Sequence, residues 1–301
     1  MKKMLMVYNP HAGKAQIRSN LLDIIDVFSK AGYEVTVIPT QKRGDAVQAI
    51  YEKAGDYALV VCCGGDGTLD ETVTGMMQRS QRVPIGYVPA GSTNDFARSL
   101  HIPKGMKRAA EVIVRRKEFA CDIGNFNKDT FVYIAAFGLF TKVSYETKQK
   151  TKNAIGHMAY VLEGMKSLTV IPSYQMRLSY ILNREQTKEV EISGKFIFGM
   201  ITNSISVGGL KNITGKNVTL DDGLFEVMLV KEPKNPMELN QILLAVSTGS
   251  ADSKNMLCFK TSKIKIESTK MVAWTLDGEF GGNHKNVTIK NEKRAINIII
   301  P

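Results

Sequence analysis

The sequence is poor in cysteine: its 301 residues contain only four, at positions 62, 63, 121 and 258. The adjacent Cys62 and Cys63 would point to opposite sides of a strand, and no spacing between the four is typical of a zinc site. So few cysteines exclude a small scaffold held together by disulfides. We therefore expect four free thiols and a reducing, cytoplasmic compartment.

Long apolar runs are also missing. No stretch approaches the roughly 18–20 apolar residues that a membrane-spanning helix needs. The apolar run at residues 4–8 is too short for a secretory signal peptide. The sequence therefore predicts a protein that is soluble or that binds a membrane only at its surface.

Acidic residues are outnumbered by basic ones, 29 against 40, which gives a net charge of +11. Residues 1–122 have a net charge of +4 and residues 123–301 a net charge of +7. Such an excess favours a polyanion or an anionic membrane surface as partner, although a dispersed excess also serves solubility alone. We expect no nucleic acid, because the sequence contains no recognised binding module and no interleaving of aromatic and basic residues.

The strongest motif present is Gly-Gly-Asp-Gly-Thr at residues 64–68. It follows an apolar run at 57–63, which is typical of a strand buried on both faces, and precedes a helical pattern at 69–77. A glycine turn between strand and helix lets the backbone approach a phosphate, which the helix N-terminus attracts. Asp66 would repel that phosphate unless a cation or hydrogen-bond donors intervened, so the motif indicates a magnesium–nucleotide site. A purely structural turn is the alternative.

A second glycine turn, at residues 90–95, follows the next apolar strand at 84–89. Strands predicted at 4–8, 33–38 and 57–63 alternate with helices, and this order predicts a doubly wound parallel sheet. Ligands of such sheets bind beyond the carboxyl ends of the strands. Asn9, Thr40 and Gly64 follow such ends, so we expect them to line one cleft.

From about residue 123 the pattern changes to alternating or short apolar strands separated by polar turns. These strands predict a mainly antiparallel β domain and lie at 131–137, 175–182, 194–202, 224–230 and 262–267. A helix is predicted at 154–168, after a lysine-rich stretch at 142–152. The apolar strand at 295–300 indicates a return to a buried sheet. We therefore predict an α/β domain at 1–122, rejoined by residues 290–301, and a β-rich domain at 123–289.

Asn9-Pro10, the 64–68 motif and Gly-Ser-Thr-Asn-Asp at 91–95 together resemble the diacylglycerol kinase catalytic family. The likeness is greatest to the bacterial soluble lipid kinases and extends over essentially the whole chain. It implies a nucleotide-binding α/β domain like those of NAD kinases and diacylglycerol kinases, and a β-rich lipid domain. It also implies transfer of the γ-phosphate of ATP to a lipid hydroxyl, most naturally that of diacylglycerol, with ceramide-like, sphingoid and phosphatidylglycerol acceptors left open. Asp70 replaces the asparagine more common in the family, which bears on nucleotide preference.

The resemblance also implies roles for individual residues. The proton acceptor is Glu279, with Asp277 as a rival. Magnesium is held by Thr219, Asp222 and Leu224, partly through backbone oxygen or water, with Asp66 and Asp95 in a water-mediated network. ATP contacts Asn9, Thr40, Gly64, Gly65, Asp66, Gly67, Thr68, Leu69, Asp70, Thr93 and Asn94. Without the resemblance, the Asp-Gly pairs at 222–223 and 277–278 are ordinary turn sequences.

Two alternatives remain open. An NAD kinase shares the glycine-aspartate core, but residues 91–95 resemble lipid kinases and the paired-asparagine motif of NAD kinases is missing. A lipid- or nucleotide-binding regulator without catalysis is the other alternative. The expected partners are a lipid substrate and the anionic inner face of a membrane, to which a cytoplasmic protein would bind peripherally. The oligomeric state is left open, with a homodimer as one alternative.

Overall fold

The computed structural model describes residues 2–138, 172–182, 189–207, 210–211, 218–248 and 254–301. The helix predicted at 154–168 and the lysine-rich stretch at 142–152 lie outside these residues. The chain forms two compact units, which consist of Met1–Asp122 with Arg294–Pro301, and of Ile123–Lys293. The sequence prediction places the corresponding limits at 1–122 with 290–301, and at 123–289.

The first unit alternates strands with helices. Its elements are β1 (Lys2–Tyr8), α1 (Ile17–Lys30), β2 (Tyr33–Pro39), α2 (Asp45–Lys53), β3 (Leu59–Gly64), α3 (Asp66–Met77), β4 (Ile85–Pro89), α4 (Asp95–Ser99) and α5 (Met106–Val114). The strands are all parallel, in the order β2-β1-β3-β4. The C-terminal residues add a parallel strand beside β4, with Ile298 opposite Ile85.

Helices cover both faces of this sheet. The chain steps from β1 to β2 in one direction and from β2 to β3 in the other, so right-handed crossovers place α1 on one face and α2 on the other. Accordingly α1 contacts α5, while α2 contacts α3. Because both faces are covered, β3 and β4 are buried throughout. The winding direction reverses between β1 and β3, which is where such sheets bind ligands.

The apolar face of α1 differs from the predicted one. In the sequence, Leu21, Leu22, Ile25 and Phe28 have helical spacing and predict a helix with these residues on its buried face. The helix begins at Ile17, however, and its fully buried residues are Ile17, Ile24 and Phe28. Leu22 is 80% exposed. The buried face of the helix is therefore rotated relative to the face that the apolar pattern indicates, because Ile17 belongs to the helix and contributes to its buried face.

The second unit is antiparallel. The strand β5 (Glu118–Phe126) leads into it, and it contains β6 (Asp129–Phe131), β7 (Ile134–Gly138), β8 (Tyr174–Ile181), β9 (Glu189–Thr202), β10 (Ser206–Val207), β11 (Leu210–Lys211), β12 (Phe225–Lys231), α6 (Pro236–Thr248), β13 (Met256–Thr261), β14 (Lys263–Leu276) and most of β15 (Glu279–Ile299). Among the strand pairs are β9 with β7, β8 and β12, and β14 with β7, β8 and β15. One core contains Trp274 between Phe126 and Phe137, with ring centroids about 5 Å apart.

The strand predicted at 131–137 is interrupted, because Val132 and Tyr133 separate β6 from β7. Their N–H groups leave the strand ladder to bond a carboxylate described below. The helix α6 was not predicted. It packs Ile242 and Ala245 against the sheet opposite the tryptophan core. Five consecutive apolar residues, at 242–246, occupy all sides of this helix, so the sequence shows no one-sided apolar pattern that would indicate it.

All four cysteines are free, as the sequence predicts. Burial raises the pKa of the Cys62 thiol to about 12 and that of Cys63 well above its ordinary value. These two thiols are therefore not nucleophiles at neutral pH. Within the described part of the chain, no helix combines the length and the apolar character needed to span a membrane.

Candidate functional site

The loops after β1, β3 and β4 touch one another at the carboxyl edge of the parallel sheet. A Cβ atom on Gly65 would lie 3.2 Å from the Cα of Gly91, and one on Gly91 would lie 2.5 Å from the Cα of Gly65. Gly13, with φ of +49°, approaches the carbonyl of Ala90 even more closely. These glycines are therefore required by contact between the loops, whether or not a phosphate approaches them.

The helix α3 begins at Asp66, not at Leu69 as the sequence pattern suggests. Asp66, Gly67 and Thr68 thus form its first turn, whose N–H groups have no acceptor further along the helix. No atom of the described chain outside its own helix lies within 4 Å of the position of a Cβ on Gly67. The first turn therefore has an open side, suited to an anionic group.

The side chain of Asn94 holds the loop after β4 in shape. Its Oδ1 accepts hydrogen bonds from the Gly91 N–H at 3.0 Å and the Tyr87 hydroxyl at 3.2 Å, and its Nδ2 donates to the Gly91 carbonyl at 2.9 Å. Tyr87 also reaches the Gly64 carbonyl at 3.3 Å. Asn94 thus has a structural task beside its predicted contact with ATP, and its φ of +50° suits an asparagine.

Asn9 and Thr40 directly follow the neighbouring strands β1 and β2, and each makes a hydrogen bond near the ends of these strands. The Asn9 Oδ1 accepts the N–H of His11 at 2.9 Å, and the Thr40 N–H donates to the Tyr8 carbonyl at 2.9 Å. Thr68 and Leu69 are buried, with 8% and 1% of their surface exposed. The Leu69 side chain therefore belongs to the core, which leaves its backbone as the part that could contact ATP.

Two acidic residues that the sequence analysis did not single out order the loop after β2. The Glu71 carboxylate of α3 accepts the N–H groups of Gly44 at 3.0 Å and Ala46 at 3.3 Å, so it caps α2. Asp45 accepts the N–H groups of Gln41 and Lys42, which lower its pKa. The sequence shows that each of these acidic residues lies near the start of a helix. It does not show which backbone N–H groups the two carboxylates bond.

Asp66 and Asp95 are brought together within the first unit. The Asp95 N–H donates to the Asp66 Oδ2 at 3.4 Å. The Asp95 side chain is only 2% exposed and lies 3.8 Å from the Arg98 guanidinium. This contact joins the β3 and β4 loops through the Asp66 carboxylate and the backbone of Asp95, two residues that the resemblance places in a metal network.

A cavity of about 220 Å³ lies beside the β4 loop. Ser92 and Thr93 line it together with the cationic Arg98 and Lys104. It is smaller than the roughly 300–1,000 Å³ of sites that enclose drug-sized ligands. Its size suits part of a ligand, and its basic lining suits an anionic group.

Asp277 and Gly278 form the two-residue turn between β14 and β15, with φ of +49° and +87°. Positive φ at both positions is characteristic of a type I′ hairpin, for which Asp-Gly is a favoured sequence. The Asp277 carboxylate is buried and accepts three backbone N–H groups, those of Val132 at 2.6 Å, Tyr133 at 3.0 Å and Ile134 at 2.9 Å. Its oxygens are thus committed to holding the backbone between β6 and β7.

Glu279 begins β15 two residues later, and its side chain is exposed. The two carboxylates that the sequence placed in competition therefore differ in environment. Asp277 is buried and bonded to the backbone, whereas Glu279 is accessible to a substrate. Asp277 therefore orders the turn, and Glu279 is the more exposed of the two carboxylates.

We expect Asp277→Asn to destabilise the second unit by about 2 kcal/mol, because an amide nitrogen would face a backbone N–H that now donates to a carboxylate oxygen. Asparagine tolerates the positive φ, so the turn itself is kept. Urea unfolding would measure the loss. The matched control is Asp129→Asn at an exposed carboxylate of β6. Equal stability of the two variants would contradict a structural role for Asp277.

The turn that contains Thr219, Asp222 and Leu224 holds a lysine where the resemblance implies magnesium. Thr219 is exposed, and the Asp222 Oδ1 accepts the Leu224 N–H at 2.9 Å. The Lys260 ammonium lies 3.4 Å from the Asp222 Oδ2 and 3.0 Å from the Glu226 Oε1. Among the described residues, no three His, Cys, Asp or Glu side chains are arranged to hold a metal. This donor set, with an ammonium inside it, does not fit a divalent cation.

Two of the charged groups at this turn, Glu226 and Lys260, have shifted pKa values. Burial raises the pKa of Glu226 to about 7, against the lowering effect of Lys260. Burial lowers the pKa of Lys260, but Glu226 and Asp222 outweigh this effect, so its pKa is raised. Lys260 therefore remains a cation at neutral pH.

Comparison with known proteins connects these features to one family. The model of the diacylglycerol kinase catalytic domain matches residues 3–126. A diacylglycerol kinase of Staphylococcus aureus is 34% identical over 305 residues, which cover 100% of this chain and 93% of the relative. The diacylglycerol kinase of Staphylococcus carnosus is 33% identical over 302 residues, covering 100% and 95%.

Solved structures show the same fold. A diacylglycerol kinase from Bacillus anthracis superimposes with a TM-score of 0.77 at 21% identity, covering 100% of this chain and 97% of that one. A second Bacillus anthracis crystal structure gives a TM-score of 0.84 at 23% identity, covering 100% and 95%. With the full-length Staphylococcus relatives, these findings confirm the resemblance read from the motifs. The chain belongs to the bacterial diacylglycerol kinase catalytic-domain family.

Proposed function

We propose that this protein is an ATP-dependent lipid kinase that phosphorylates diacylglycerol to phosphatidic acid. The observation that carries the proposal is the loop cluster at the ends of β1, β3 and β4, with the open first turn of α3 at Gly67. It offers backbone N–H groups to a phosphate chain at the switch point of a parallel sheet. The family and the names of the Staphylococcus relatives supply the acceptor, diacylglycerol.

ATP would lie against the loops that contain Asn9, Thr40, residues 64–70 and Thr93, with Asn94 bracing the last of them. The diacylglycerol hydroxyl oxygen attacks the γ-phosphorus, the new O–P bond forms, and the bond from phosphorus to the bridging oxygen of ADP breaks. Glu279 takes the hydroxyl proton. Catalysis of this kind rests on positioning and on stabilising charge, and ATP enters such reactions as its magnesium complex.

The direct test presents purified protein and labelled ATP with vesicles that contain diacylglycerol, and with sphingosine, ceramide or NAD in parallel reactions. We expect labelled phosphatidic acid as the main product. Labelled NADP would support the NAD-kinase alternative instead. Nucleotide or lipid binding without any labelled product would support a non-catalytic regulator.

A diacylglycerol kinase must reach a substrate that lies in a bilayer, so we also propose peripheral binding at the anionic inner face of the membrane. The support is the excess of basic residues, which is larger in residues 123–301. The proposal makes the protein cytoplasmic and leaves a homodimer as one alternative for its assembly.

Salt should release the protein from anionic vesicles. Exposed charges are screened over about 8 Å at physiological ionic strength, and over less as salt is added. Vesicle sedimentation across a salt series would measure the effect, with vesicles of neutral lipid as the control. Equal pelleting with neutral and anionic vesicles, or none with either, would leave the net charge as a solubility feature.

A further inference from the structure

Lys260 lies at the centre of a small charged cluster in the second unit. In the antiparallel pair of β12 and β13, Lys260 stands directly opposite Glu226. Its ammonium reaches both the Glu226 Oε1 at 3.0 Å and, on the turn before β12, the Asp222 Oδ2 at 3.4 Å. One cation thus joins a strand, its neighbour and the turn that leads into them.

Glu226 needs this cation more than a surface carboxylate would. Its side chain is 4% exposed, and β12 is flanked by β9 on one side and β13 on the other. A carboxylate in such a place is costly unless a partner of opposite charge compensates it. The Lys260 side chain is 34% exposed, so its aliphatic part shields the ion pair with Glu226 while the ammonium remains partly hydrated.

Asp222 uses its two oxygens in different directions. Oδ1 accepts the Leu224 N–H at 2.9 Å and closes the turn, while Oδ2 faces Lys260. Magnesium demands octahedral oxygen ligands at about 2.0–2.1 Å and keeps several waters. A hydrated divalent ion at Oδ2 would meet the ammonium as a like charge, so one of the two cations must be excluded.

We propose that Lys260 is the resident cation of the Asp222 turn and replaces the divalent ion there. The turn then folds and keeps its geometry without metal. Lys260 acts in this proposal as a positioning residue, because it holds Asp222 and Glu226 in place and touches no reacting atom. The proposal does not depend on the identity of the lipid acceptor.

The test measures thermal unfolding of the full chain without nucleotide or lipid, in EDTA and in excess magnesium at matched ionic strength. We expect the wild-type protein to unfold at the same temperature in both. Lys260→Met should lower the unfolding temperature in EDTA by about 4 °C or more, because two carboxylates lose their cation. Magnesium should restore part of that loss, and the double variant Lys260→Met, Asp222→Asn should show no restoration.

Lys265→Met is the matched control, since Lys265 lies on β14, the next strand in sequence, and pairs at 3.8 Å with Glu189, both side chains being largely exposed. It should unfold like the wild type in both solutions. A wild-type protein that gains stability from magnesium without nucleotide, and loses that gain on Asp222→Asn, would overturn the proposal. So would a Lys260→Met variant as stable in EDTA as the wild type. If that variant does not fold, the wild-type magnesium titration alone decides between the two cations.

Discussion

Glu279→Gln is expected to lower the rate of phosphoryl transfer by roughly 10²-fold or more while ATP binding and the fold are retained. The substitution keeps the size of the side chain and removes the carboxylate that would take the hydroxyl proton. Because Glu279 is exposed at the start of β15, we expect its substitution to leave the stability of the fold unchanged. Initial rates with labelled ATP and diacylglycerol vesicles, together with nucleotide affinity and urea unfolding, separate these effects.

Glu267→Gln is the control, because Glu267 is an exposed carboxylate on the same hairpin, within β14. It should retain wild-type activity. If Glu279→Gln turned over lipid at the wild-type rate while Asp277→Asn was stable and inactive, Asp277 would be the base despite its three backbone hydrogen bonds. If both variants kept full activity, the turn would be structural and the assignment of the base would fail.

Gly67→Val is expected to weaken ATP binding at least tenfold, which corresponds to about 1.4 kcal/mol, without unfolding the first unit. The new side chain would project from the open side of the first turn of α3, where the phosphates are proposed to lie. Gly65→Val is a less informative change, since its side chain would also press against Gly91. Nucleotide titration and thermal unfolding of Gly67→Val would provide the two measurements.

Gly105→Val is the matched control for that experiment. Gly105 precedes α5 with φ of −72°, and a Cβ there would make only ordinary contacts with Arg108 at 3.9–4.0 Å. It should therefore bind ATP as the wild type does. Unchanged affinity in Gly67→Val would contradict the proposed phosphate position, and an equal loss in both variants would mean that the effect is not specific to the loop.

Several site residues have tasks that their motif could not reveal. Asn94 and Asp277 are both polar residues with positive φ whose side chains hold a backbone in place. The motif at 64–68 predicted a phosphate turn, but the contact of Gly65 with Gly91 joins two loops 26 positions apart in the chain. Glu71 likewise caps a helix that precedes it in sequence. Side-chain partners of this kind depend on which strand ends become neighbours.

The sequence by itself determined the class of the first unit, the location of its phosphate-type turns and the family, because these depend on short-range patterns. Buried strands without alternation, glycines after them and an Asp-Gly hairpin are local signals. Only the tertiary structure decided that Asp277 is bonded to residues 132–134, that the strand predicted at 131–137 is therefore split, and that Lys260 stands between Asp222 and Glu226. Each of these contacts joins residues far apart in the chain, and their pairing follows from strand register and packing, which a local pattern does not contain.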